Sequence, residues 1–121
     1  QEEAADQYAC LRLRRVDGEA PASLSAAWHA VLRDTLGFAG VIITDDLSMG
    51  GVTNYTDGAS SAVAAVLAGN DMLCCTDFET QIPAVLRAVE DGTISEARID
   101  ESVLRILRWK LERGIIAAQT E

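Results

Sequence analysis

The chain has 121 residues, 49% of them hydrophobic and 24% charged, which is ordinary globular material of about one domain's length. Its formal net charge of −9 argues against nucleic acid and anionic membrane as partners, because both need a basic face. No apolar run approaches the roughly 18 residues of a membrane span.

The first ten residues, QEEAADQYAC, lack a basic region followed by an apolar core, so no secretory signal is expected. The chain does not open on Met, which fits removal of an upstream segment. Cys10, Cys74 and Cys75 form no paired framework. Cys74 and Cys75 are adjacent, a spacing that seldom bridges comfortably, and both read as buried core thiols. A reduced, cytoplasmic setting is the expectation.

Residues 2–15 begin acidic and end basic, the order a helix macrodipole favours, and Ala4, Ala5, Tyr8, Ala9 and Leu11 recur at helical spacing. Residues 16–23 carry Gly and Pro and read as a loop. Ser23 or Ser25 can cap the next helix, whose apolar stripe is Leu24, Ala27, Trp28, Val31, Leu32, Thr35 and Leu36, with Gly37 as its stop. Val41-Ile42-Ile43-Thr44 is a β-branched run, apolar on both faces as a buried parallel strand must be, and Asp45-Asp46 ends it.

A polar loop with Gly50, Gly51, Asn54 and Gly58 follows. Residues 59–68 predict a helix ended by Gly69, and Asp71–Cys75 a second short strand. A helix over 79–91 carries Ile82, Val85, Leu86 and Val89, with Gly92 as its stop. Thr93-Ile94-Ser95-Glu96 has the form of a capping box. The last helix, over 100–113, has Asp100 as its cap and Val103, Leu104, Ile106, Leu107 and Leu111 as its stripe, and Gly114 closes it. Strands that alternate with helices imply an α/β fold with parallel pairing through right-handed crossovers.

In such folds reactive groups gather at the C-terminal ends of the strands. Asp45 is the first polar residue after the first strand, and Asp77 stands near the end of the second. Carboxylates there can serve as nucleophile, general base or metal ligand, although Asp also ends strands for turn reasons. The one histidine, His29, lies opposite its helix's apolar stripe and reads as a solvated surface group.

The run Leu32-Arg33-Asp34-Thr35-Leu36-Gly37-Phe38-Ala39-Gly40-Val41-Ile42-Ile43-Thr44-Asp45-Asp46-Leu47-Ser48-Met49 resembles the signature of family 3 glycoside hydrolases, most closely the single-barrel β-N-acetylhexosaminidase branch. Pro21–Ser25, Ala68–Leu73 and Ile94–Ile116 match the same branch, so the resemblance covers roughly residues 16–116. It implies a partial (β/α)8 TIM-type barrel domain over 16–116, preceded by a segment 1–15 that departs from the family pattern and followed by a tail, 117–121. It further implies that Asp45 is the nucleophile and that Asp46 and Met49 contact the sugar, with no cofactor. The resemblance places the family's proton shuttle, a His-Asp pair, on a loop much earlier than any residue of this chain. Retaining chemistry needs the two groups roughly 5–5.5 Å apart.

A full barrel of this kind needs about 250 residues. Two strands alone make a marginal sheet with open edges, so a homodimer or larger oligomer is expected to complete it. Two further readings stand beside the glycosidase. In one, Asp45, Asp46 and Asp77, with Asp71 near them, converge between chains on a zinc or manganese ion whose bound water attacks a phosphoester or activated ester. In the other, the chain is a non-catalytic, self-associating fragment.

Overall fold

A computed structural model describes residues 18–117. The expected N-terminal helix over 2–15 and Cys10 lie outside the described residues. The elements run in order as a 3-10 turn Ala22–Leu24, helix α1 Ala26–Ala30, a π-helical turn Val31–Thr35 and strand β1 Ile43–Asp46. Helices α2 Gly50–Thr53 and α3 Gly58–Ala68 follow, then strand β2 Met72–Cys74, α4 Phe78–Glu90 and α5 Glu96–Glu112. Among the described residues no helix is long and apolar enough to cross a membrane.

The two strands pair in parallel, with Ile43 opposite Met72 and Asp46 opposite Cys74. The register is irregular between them, and there the Cys74 N–H donates to the Thr44 hydroxyl (2.9 Å). Pairing begins one residue before β1, where the Ile42 carbonyl accepts from Asp71 and Met72. Strand β1 therefore sits two residues later than the apolar run suggests, and it includes both Asp45 and Asp46.

Nor is it buried on both faces. Thr44 is buried while Ile43 is 59% exposed and Asp45 is exposed, the period-two alternation of a sheet covered on one side. The covered face is made by Leu24, Leu47, Val52, Ala62 and Ala65, with Leu73 and Cys75 packed against them. Helix α3 is the hub, touching α1, α2, α4, β2 and the 3-10 turn. Its alanines let neighbours approach closely, and α4 answers with Gln81, Ala84 and Ala88. That choice turns the larger Ile82 and Leu86 outward, contrary to the stripe expected for α4.

Asp57 caps α3 by accepting from the Ser60 N–H at 2.8 Å. Ser25 caps α1 by accepting from Trp28, and the expected stop Gly37 has φ +66°. Past Ala30 the helix widens into its π turn, with the Leu36 N–H donating to Val31. Against the expected stripe, Ala27 before the π turn and Thr35 and Leu36 at its end are exposed, while His29 faces inward. The capping box does not form. Ser95 is the cap, accepting from the Arg98 N–H at 3.2 Å, and Thr93 instead donates its N–H to Asp91. Helix α5 therefore starts at Glu96, before the Asp100 cap read from the sequence.

Candidate active site

Parallel pairing brings the C-terminal ends of β1 and β2 to one rim. Asp45 and Asp46 come from β1, and Cys74, Cys75, Thr76 and Asp77 come from the end of β2 and its loop. Asp45 shares the uncovered face with Ile43, so its carboxylate stands at the strand end facing open space. The Asp46 N–H donates to Asp45 Oδ1 at 2.8 Å, which restrains the carboxylate's orientation.

Asp46 turns toward the loops. The Thr76 hydroxyl donates to its Oδ2, and the Ser48 N–H donates to Oδ1 at 2.7 Å. The Thr76 bond, then the Ser48 N–H, holds this exposed carboxyl below the usual carboxylate range. Thr76 thus ties the end of β2 to the end of β1, a link that nothing in its sequence spacing announces. Met49 is half-buried at the head of α2, where its carbonyl accepts from Val52 and Thr53.

Cys74 is exposed on the open face, while Cys75 is partly buried against the core. The expectation of two core thiols therefore fails for Cys74, because adjacent strand residues face opposite ways. Burial pushes the Cys75 thiol up, with Cys74 and Asp46 adding to the effect.

No three His, Cys, Asp or Glu side chains gather as they would around a metal ion among the described residues. Within one chain Asp45, Asp46 and Asp77 take different partners; the convergence expected of them is one between chains. Asp46 is held by Thr76, and Asp77 lies against the start of α3, its Oδ2 3.7 Å from where a Cβ on Gly58 would stand.

Asp71 sits at the opposite end of the sheet from Asp45. Its side chain is wholly buried and accepts from Arg33 (2.6 Å), Ser102 (2.8 Å), Arg105 (2.9 Å) and the Ile42 N–H (3.0 Å). Burial alone would raise its pKa. The bonds from Ile42, Ser102 and Arg105 outweigh that and hold the carboxyl below its ordinary value. Asp71 is a structural anchor, not a member of a carboxylate cluster with Asp45.

His29 is at that same end and is only 6% exposed, not solvated as its sequence position suggests. Its Nδ1 lies 2.7 Å from the Ser25 carbonyl, which can only accept, so Nδ1 carries the proton. The ring lies flush on Gly69, where any Cβ would be 3.1 Å from it. A recess of about 400 Å³ between α3 and α4, lined by Ala64, Leu67, Ala84 and Ala88 among others, does not include Asp45.

These features define a parallel α/β unit with a carboxylate presented at a strand's C-terminal end. The glycosyl hydrolase family 3 N terminal domain matches residues 7–109 of this sequence. A β-hexosaminidase of Methylococcus capsulatus is 32% identical over 108 residues, covering 88% of this chain and 32% of that protein. A β-hexosaminidase of Thioalkalivibrio sulfidiphilus is 44% identical over 82 residues, covering 65% of this chain and 24% of that protein. The solved structure of a glycoside hydrolase family 3 β-N-acetylglucosaminidase from Paenibacillus sp. str. FPU-7 superposes with a TM-score of 0.74 at 37% identity, over 86% of this chain and 22% of that one. The chain therefore belongs to glycoside hydrolase family 3, and it spans about a third or less of the length of these relatives.

Proposed function

We propose that this chain carries the nucleophile of a retaining glycosidase acting on β-N-acetylglucosaminide-type substrates, and that Asp45 is that nucleophile. The supporting observation is the placement of Asp45, exposed on the uncovered face of the sheet at the C-terminal end of β1. In this reading the sheet is part of a (β/α)8 barrel, and its uncovered face is the barrel interior.

The Asp45 carboxylate attacks the anomeric carbon, the bond to the leaving oxygen breaks, and a glycosyl ester forms on the aspartate. Water then attacks the anomeric carbon and frees the carboxylate. Asp46 positions the strand end through Thr76 and Ser48, and Met49 lies on the loop nearest the sugar. The proton donor to the leaving oxygen comes from outside residues 18–117. His29 does not fill that role, because it is buried at the other end of the sheet.

The test uses a β-N-acetylglucosaminyl fluoride, whose leaving group departs without a proton donor. Asp45 is expected to become glycosylated in intact-mass and peptide mass spectrometry, and Asp45→Asn is expected to abolish the adduct. Hydrolysis or labelling that survives Asp45→Asn removes the role assigned to Asp45. No turnover or adduct from the intact chain favours a fragment without catalytic competence.

A further inference from the structure

Asp45 lies where the two strands fall out of step. Ile43 is opposite Met72 and Asp46 is opposite Cys74, so β1 advances three residues while β2 advances two. The extra residue falls in the stretch Thr44-Asp45, a β-bulge on the strand that presents the carboxylate. A bulge bends its strand, leaves one residue outside the ladder and re-aims a side chain. Ladder pairing alone therefore does not fix the aim of Asp45.

Two threonine hydroxyls, one from each side of the strand pair, hold this stretch. Before Asp45, the hydroxyl of buried Thr44 accepts the Cys74 N–H at 2.9 Å. After it, the Thr76 hydroxyl donates to Asp46 Oδ2, while the Ser48 N–H donates to Oδ1 at 2.7 Å. The Cys74 carbonyl also accepts the Leu47 N–H at 3.1 Å, so one residue of β2 grips β1 on both sides of the Asp45-Asp46 pair. The Asp46 N–H in turn donates to Asp45 Oδ1 at 2.8 Å. Holding Asp46 therefore holds the donor that orients Asp45. All of these bonds form between residues 44 and 76, and none depends on which faces further chain covers.

We propose that Thr44 and Thr76 are positioning residues for Asp45, bracing the bulge from either side so that its carboxylate keeps one aim. Thr44 sets where the backbone enters the bulge, and Thr76 sets how it leaves through Asp46. Both act through the chain around Asp45. Their consequence for the reaction rests on the reading of Asp45 as the nucleophile; the bracing itself does not. A misplacement of about 1 Å at a reacting atom costs about 100-fold in rate, so loss of either hydroxyl falls on the bond-forming step more than on substrate binding.

The test uses the intact chain and two readouts. Valine keeps the shape of threonine without its hydroxyl, and serine keeps the hydroxyl. Thr44→Val and Thr76→Val are each expected to move the carbon-13 resonance of the Asp45 carboxyl with far-UV circular dichroism unchanged, and Thr44→Ser and Thr76→Ser to return it. With the β-N-acetylglucosaminyl fluoride, each valine variant is expected to glycosylate Asp45 about 10- to 100-fold more slowly at saturation, with the half-saturating concentration within about twofold. Each serine variant is expected to recover the rate. An Asp45 resonance that neither valine variant moves overturns the proposal. So does an adduct that both valine variants form at the wild-type rate. If Thr44→Val does not fold, the wild-type Cys74 amide decides for Thr44: slow hydrogen exchange supports the bond, and exchange at the rate of an open amide overturns it. A wild-type chain that forms no adduct removes the nucleophile reading, and the resonance of Asp45 then decides the bracing alone.

Discussion

Replacing Asp71 removes the acceptor at which four donors from three parts of the chain converge. Asp71→Ala leaves the Ile42 N–H and the Ser102 hydroxyl without this partner, and it leaves Arg33 and Arg105 facing each other across the gap. Removing one partner of a buried ion pair costs about 3–5 kcal/mol. Arg33 and Arg105 keep 18% and 26% exposure, so both can turn toward water and recover part of that cost. The expected loss is therefore about 3 kcal/mol, a large share of the roughly 5–15 kcal/mol that stabilises a domain. Asp71→Asn keeps the shape and one acceptor oxygen, and is expected to lose about half as much.

Urea unfolding followed by circular dichroism measures both. The pH dependence gives a second readout. The folded-state pKa of Asp71 is depressed, so its contribution is fully present above the unfolded carboxylate value of about 3.9 and is lost as pH falls through the folded value. The wild type is expected to lose stability over that acidic window more steeply than Asp71→Asn. A cost below about 1 kcal/mol for Asp71→Ala, the level of an ordinary surface change, would refute the view that this carboxylate anchors α5 and the π turn to the sheet.

Gly69→Ala places a Cβ 3.1 Å from the His29 ring at φ +122°, and is expected to lower stability by about 2 kcal/mol in thermal unfolding. An unchanged midpoint would show that His29 does not pack there. Thr76→Val removes the largest of the contacts holding Asp46 below the ordinary range. The Asp46 carboxyl, followed by carbon-13 NMR titration, is expected to move back up toward its usual value while Asp57 stays in place.

Most helix ends were legible because they depend on neighbouring residues alone. The expected stops Gly37, Gly69, Gly92 and Gly114 all have positive φ, and helices α3 and α4 fall within a residue of their predicted bounds. The start of α5 was misplaced because Asp100 is also a good cap residue, and only the local turn at Asp91, with Ser95 accepting from the Arg98 N–H, decides that the helix begins at Glu96.

The sequence by itself determined the family, the two parallel strands and the position of Asp45 after an apolar run, since these rest on local pattern and a specific motif. Tertiary structure decided which faces are covered. A helical stripe records which side of a helix is apolar, but not whether a partner is present to bury it. On α5 that partner is missing from the described chain, and the polar side packs inward because Asp71 offers buried hydrogen bonds there. The same long-range geometry separates Asp71, just before β2, from Asp45, near the end of β1, so that they stand at opposite ends of the sheet. It also buries His29 against a glycine 40 positions away in sequence, a contact no local pattern encodes.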